Sequence, residues 1–263
     1  MTPLHQAVID NDCAFVAKHL DSLWRHASDS MGFTPLELAQ LLGREECLKL
    51  FRQSLPSSIK VQAPGESSES SLLLKDFENF FHLKYRSSLC FSSYRLLKQV
   101  IRECPYIMRN RWIASENYTW TQVYQQELAS GILAPMAIKW IDKSIGYGAF
   151  ADVDLNQGTF IGEYTGIVKR LYRKHPDHNE YCFHYPTRFW SLKYFAIDAM
   201  REGNLLRFVN HSSNPNLQPL CLIDRGLLHL VFVSNQPIAK GTELRFDYGQ
   251  DFWSKRKTAS NSV

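Results

Sequence analysis

The sequence predicts an α+β chain: an α-helical front part followed by a mostly-β rear part. Two observations separate them. In the front part the tripeptide Thr-Pro-Leu occurs at 2–4 and again at 34–36, 32 residues on, each time opening a run of apolar residues at helical spacing. Behind Pro135 the texture changes to short β-branched or aromatic runs broken by Gly, Asn and Pro, such as 158–166 and 227–233. Composition bounds the answer. A chain of 263 residues with 44% hydrophobic and 13% aromatic content buries one large core or two modest ones, and is not disordered. The formal net charge of +4 permits nucleic-acid proximity without demanding it.

The six cysteines, at 13, 47, 90, 104, 182 and 221, form no CxxC pair. They read as reduced thiols of an intracellular protein, and a zinc cluster of cysteines alone is not expected. The chain does not open on a basic-then-apolar pattern, and no apolar run approaches about 18 residues. Neither a secretory signal nor a membrane helix is expected.

In the front part, Thr2-Pro3-Leu4-His5-Gln6-Ala7 fits the pattern Thr-Pro-Leu-His-x-Ala at each specified position. Thr34-Pro35-Leu36-Glu37-Leu38-Ala39 returns close to a period of about 33 residues. Thr is a helix N-cap and Pro suits the first helical position. Phe15, Val16, His19 and Leu20 then predict a second helix. Leu41, Leu42, Cys47, Leu48 and Phe51 predict the same in the second unit, with Gly43 between its helices. Residues 1–55 therefore resemble two ankyrin repeats, which implies a surface for a protein partner. Two repeats are too few to stand alone, so they should pack on the next segment of the chain. The Ser-rich stretch 56–71 reads as a linker. Residues 72–134 read as a helical connector, from Leu72, Leu73, Phe77, Phe80 and Phe81, then Tyr94, Leu97, Lys98 and Ile101 up to Pro105, then 120–128. Its aromatic stripe is expected to be core, and no chemistry is assigned to it.

In the rear part, Gly146-Tyr147-Gly148 runs into a strand rather than a helix, which excludes a dinucleotide fingerprint. A glycine pair there still lets a ligand approach the backbone closely. Asn156-Gln157-Gly158 marks a hairpin. Two segments carry most information: 207–216, Arg-Phe-Val-Asn-His-Ser-Ser-Asn-Pro-Asn, and 243–249, Glu-Leu-Arg-Phe-Asp-Tyr-Gly. His211 and Ser212 lack the GxSxG or HExxH surroundings that a serine or zinc hydrolase needs. With 145–150, 158–166, 181–183 and 195–199 ahead of them, the two segments resemble, in order and spacing, the SET domain of protein lysine methyltransferases, over 135–253.

That resemblance implies S-adenosylmethionine as cofactor and a lysine side chain of a protein as substrate. Ile145, Gly146 and Tyr147 would line the cofactor site with Tyr181 beside them, and Arg207, Phe208, Asn210 and His211 would cradle it. Tyr248 would be the catalytic residue, orienting the amine. A phenol of ordinary pKa about 10 is not a simple general base. Tyr164, Phe183, Phe246 and Phe252 would wall the lysine channel. The segments 207–216 and 243–249 would thread past each other in a knot-like crossing, an exception to usual topology. Phe246 occupies the family's Phe/Tyr switch, which implies di- or trimethyl products. Many relatives carry Cys where Ser213 stands, and three more in the tail; the tail 254–263 has none, so no structural zinc is expected. Phe252, Trp253, the helical connector or the substrate would close the channel instead. Lys255, Arg256 and Lys257 read as solvated charge.

The implied substrate class is a histone tail. Alternatives are a non-histone protein, or an adaptor without activity. Sequence-specific nucleic-acid binding and membrane attachment are not expected. The place of action is intracellular: the nucleus, or a host nucleus, for a chromatin enzyme, and otherwise the cytoplasm. A compact domain without zinc flanks on a short repeat array suits a bacterial protein acting on host chromatin; a eukaryotic enzyme is the other case.

Overall fold

The computed structural model of the protein describes residues 1–51, 55–109, 114–172, 179–185 and 193–249. Its front part holds four short α-helices, α1 (Pro3–Asp10), α2 (Cys13–His19), α3 (Pro35–Leu41) and α4 (Glu45–Phe51), and a 3-10 turn at Leu23–His26. Then come β1 (Ser58–Gln62), β2 (Ser70–Leu73), α5 (Leu74–Phe81), β3 (Lys84–Tyr85), β4 (Cys90–Phe91), α6 (Tyr94–Arg109), α7 (Ala114–Val123) and α8 (Gln125–Ser130). The rear part holds β5 (Met136–Asp142), β6 (Gly146–Ala151), β7 (Phe160–Glu163), β8 (Gly166–Tyr172), β9 (Cys182–Tyr185), β10 (Lys193–Gly203), β11 (Asn210–His211), β12 (Leu217–Asp224), β13 (Leu227–Ser234) and β14 (Arg245–Phe246).

The two Thr-Pro openings act as caps. Thr34 Oγ1 accepts from the Glu37 amide at 3.3 Å, and the Glu37 carboxylate accepts from the Thr34 amide at 2.8 Å. This reciprocal pair satisfies donors that a helix start leaves open. In the first unit His5 replaces the acid. Its Nδ1 accepts from the Thr2 amide at 3.1 Å, so the ring proton lies on Nε2, which donates to the Phe33 carbonyl at 2.9 Å. One fully buried side chain thus caps α1 and ties the first helix pair to the second.

The stretch 56–71 is not a free linker. β1 pairs antiparallel with β2 and, on its other edge, parallel with β5. Ile59 and Val61 of β1 are buried, while β2 faces solvent, which is why its serines read as a linker. The connector is not all helix either. Its β3 lies parallel to β10, and its β4 parallel to β8. Leu72 and Leu73 belong to β2, so α5 starts at Leu74. Helix α6 runs past Pro105 to Arg109, although proline supplies no N–H for the Ile101 carbonyl. The third expected helix is two, parted at Tyr124.

The sheets follow the orders β2-β1-β5-β6, β3-β10-β8-β4 with β9 on β10, and β12-β13-β7, with β11 and β14 as a separate pair. The 156–158 turn is a corner rather than a hairpin, because β6 and β7 on either side enter different sheets. Gly158 turns there at φ +81°, and its amide donates to the Ser234 carbonyl at 2.9 Å. Among the described residues the main core runs from Leu4 and Leu38 through Phe77 and Phe91 to Ile161, Phe232 and Phe246, with smaller clusters around Tyr124, Phe160 and Leu222 and at Leu171 and Ala196. Arg225, between β12 and β13, reaches back to the front part. It meets Glu37 Oε1 at 2.6 Å and the Gly32 carbonyl at 3.1 Å, with its guanidinium 4.6 Å over the Phe33 ring.

Replacing His5 by Ala should cost about 1–3 kcal/mol, because it takes the cap partner from the half-buried Thr2 amide and removes a buried bond to the Phe33 carbonyl, which keeps only the Asp29 amide. Leu23→Ala, at a side chain that is 95% exposed, should stay within about 0.5 kcal/mol. Urea denaturation of the two variants checks the contrast.

Candidate active site

Two strands of only two residues hold the centre of the site. β11 and β14 pair in parallel, Asn210 opposite Arg245 and His211 opposite Phe246. The Ser212 amide donates to the Phe246 carbonyl at 3.0 Å, and the Asn216 amide to the Arg245 carbonyl at 3.1 Å. So short a pairing gains little from its backbone, and side chains add to it. Asn216, buried, donates from Nδ2 to the Glu243 carbonyl at 2.8 Å and accepts at Oδ1 from the Arg245 amide at 2.8 Å. Asn210 donates from Nδ2 to Glu243 Oε1 at 2.9 Å and to the Tyr147 carbonyl at 3.2 Å. Three segments distant in sequence therefore meet at one amide.

The close meeting needs Gly148. A Cβ there would stand 2.7 Å from Ile141 Cδ1, 2.9 Å from Glu243 Oε1 and 3.0 Å from Asn210 Nδ2. The room that this glycine opens is filled by the protein's own side chains, not held for a ligand. Gly146, at φ +82°, is different: no atom lies within 4 Å of the place a Cβ would take.

Tyr248 follows directly from β14. Its amide donates to His211 Nδ1 at 3.2 Å, which puts the ring proton of a neutral His211 on Nε2. Its hydroxyl donates to the Val209 carbonyl at 3.1 Å. The phenol oxygen therefore presents its lone pairs, not its proton, to any further group. Beside it lies an aromatic cluster. Phe246 sits 4.7 Å from Tyr248, 4.7 Å from Phe232 and 5.5 Å from Phe183; Phe183 sits 4.6 Å from Tyr164. Tyr164, Phe232 and Phe246 are buried, whereas Phe183 and Tyr248 keep partial contact with solvent. Burial pushes the Tyr164 phenol well above its ordinary value, so this group stays a neutral donor, to the Tyr181 carbonyl at 2.8 Å.

Arg207 stacks its guanidinium 4.0 Å over the Tyr181 ring and 4.9 Å over Phe208, and donates to the Ala199 and Met200 carbonyls at 3.0 and 3.3 Å. Burial pulls its pKa down, against the pull of Tyr181 and Tyr164, yet a guanidinium remains a cation. The structure thus gathers Tyr147, Asn210, His211 and Tyr248 at the crossing, Tyr181, Arg207 and Phe208 in a second group, and Tyr164, Phe183 and Phe246 in the aromatic cluster. Ile145 stands apart, 53% exposed in the β5–β6 turn, with its amide on Asp142. Phe252 lies outside the described residues. Glu243, Asn216, Gly148 and Phe232 belong to the arrangement as well. Glu243 and Asn216 lie inside the two signature segments. Phe232 carries only the period-2 signal of a strand, which does not say what its face adjoins.

Residues 146–249 match the family model described as "SET domain". Over 196 residues the chain is 26% identical to the histone-lysine N-methyltransferase EHMT1 of Homo sapiens, covering 66% of this chain and 15% of that protein. Over 129 residues it is 33% identical to the histone-lysine N-methyltransferase Su(var)3-9 of Drosophila melanogaster, covering 45% of this chain and 20% of that protein. A solved structure of KRYPTONITE in complex with mCHH DNA, H3(1-15) peptide and SAH aligns at 31% identity and a TM-score of 0.38, over 45% of this chain and 24% of that one. Residues 146–249 are a SET domain, and the chain's relatives include histone-lysine methyltransferases. The chain spans a fifth or less of the length of these two curated relatives.

Asn216→Ala strands a carbonyl and an amide at the crossing and should cost about 2–6 kcal/mol, taking about 1–3 for each. Chemical denaturation reads this directly. Tyr164 sets an alkaline limit. Its folded pKa is raised, so its contribution is whole below the ordinary phenol value of about 10 and is lost as pH rises toward the raised one. Tyr164→Phe should flatten that alkaline fall in thermal stability.

Proposed function

We propose that this protein transfers methyl groups from S-adenosylmethionine to a lysine side chain of a protein, with a histone tail as the substrate class. The observation that carries the reading is the placement of Tyr248. Its ring stands 4.7 Å from Phe246 of the aromatic cluster and 5.4 Å from His211 of the crossing, with its hydroxyl on the Val209 carbonyl, inside the segment that matches the SET domain. The names of EHMT1 and Su(var)3-9 support the histone class.

The residues present fit the cofactor. The open glycine Gly146, the half-buried rings of Tyr147 and His211, the Asn210 amide and the Arg207 cation together offer what an amino acid joined to a nucleoside requires. Tyr147, Tyr181, Arg207, Phe208, Asn210 and His211 would hold it, with Ile145 at the rim. When bound, S-adenosylmethionine supplies a methyl group on a sulfonium. The chain's own task is to deliver a neutral amine in line with that methyl. Phe183, Phe246 and Tyr164 attract the charged lysine by their ring faces and then, as they strip its water, favour loss of its proton. Tyr248, its proton committed to Val209, accepts an N–H of the amine and turns the nitrogen lone pair away from itself. Such positioning contributes several kcal/mol without a general base.

Phe246 places no hydroxyl beside the amine to hold a water there, which favours di- and trimethyl-lysine. The helix pairs of the front part carry the ankyrin-like pattern and would hold a protein partner. On this reading the protein acts where chromatin is, in a nucleus, or in a host nucleus if its source is bacterial.

Incubation with tritiated S-adenosylmethionine and core histones tests the reading. Label should appear on histone and fall about 100-fold or more in Tyr248→Phe, as for loss of one positioned polar group in an active site. Cofactor binding without transfer to any protein would favour the adaptor instead. Mass spectrometry of the product should show Phe246→Tyr shifted toward monomethyl-lysine.

A further inference from the structure

We propose that helix α5, which lies outside the matched segment 146–249, forms a wall of the cofactor site, with Phe80 covering one face of the adenine ring. The inference rests on the S-adenosylmethionine reading above. It starts from two residues assigned to the cofactor, Tyr147 and Phe208, which lie in different segments of the SET domain. The Phe81 ring stands between them, 4.8 Å from each. Phe77, one helical turn earlier and fully buried, anchors the helix at 6.2 Å from Phe208 and 4.8 Å from Phe81. The two inward aromatics of α5 therefore set the spacing of two cofactor residues.

Phe80 is turned the other way. It is 47% exposed, and meets Phe81 at 4.8 Å and Tyr147 at 6.1 Å, edge-on in both cases. A single exposed phenylalanine is ordinary on a surface. This one adjoins the Tyr147 ring, whose carbonyl accepts from Asn210 and whose preceding residue, Gly146, leaves open space. A half-exposed ring, an open backbone and polar groups beside them fit a flat heteroaromatic that has hydrogen-bonding edges. The neighbouring rings are already packed against one another, which leaves Phe80 as the face on offer. Phe81 is a positioning residue; Phe80 is the contact.

Isothermal titration calorimetry of the full chain with S-adenosylhomocysteine tests this, with thermal midpoints as a fold control. Phe80→Leu should weaken binding about 10-fold at an unchanged midpoint, as for loss of one stacking partner of a base, and Phe80→Tyr should restore the affinity. Equal affinity of Phe80→Leu and the unsubstituted chain would overturn the proposal while leaving the cofactor reading intact. Absence of binding by the unsubstituted chain would overturn both.

Discussion

The parallel pairing of β11 with β14 is the constraint on which the site depends. Two residues on each side form it, from segments more than thirty residues apart in sequence. Asn216 and Asn210 add side-chain bonds on both flanks, and each of them ends on Glu243. Tyr248 and His211 leave this pairing in fixed directions, so the aromatic cluster and the polar cradle are set relative to each other by one short contact. Its partial burial strengthens these hydrogen bonds and makes their loss costly.

The front part of the chain contributes to that rigidity beyond its own helices. β1, β3 and β4 each add a parallel edge to strands of the rear part. Arg225 and Glu37 close a further link between β12–β13 and the second helix pair. These connections bring the chain ahead of the SET domain, including α5, up against the same elements that carry Tyr147 and Phe208. A domain that stood alone over 146–249 would lose three strand pairings, β5 on β6, β3 on β10 and β4 on β8, and an aromatic wall.

Much of the site was legible in the sequence, because it lies in two dense segments. Asn210, His211, Phe246 and Tyr248 come together as the order of these segments implies, while Arg207 joins a second group with Tyr181 and Phe208. Tyr147 and Phe183 were legible only through resemblance, since a ring within a strand carries no mark of what it adjoins. β2 was hidden because a Ser-rich edge strand has the composition of a linker, and β1 because its pairing with β5 is a contact between distant parts of the chain. Phe232 escaped for a related reason, since its role is set by partners across sheets, and Gly148, whose sequence suits close approach by a ligand, is packed instead against Ile141, Glu243 and Asn210. Ile145 was placed in the site by its position in the motif, yet its side chain faces out of the turn.

Native-state hydrogen exchange at the Ser212, Asn216 and Arg245 amides tests most directly whether the crossing is the fixed centre of the molecule. All three donate within it. They should exchange as slowly as the amides of central strand β13, through global unfolding alone. Exchange at the rate of an exposed loop, with β13 still protected, would contradict the account.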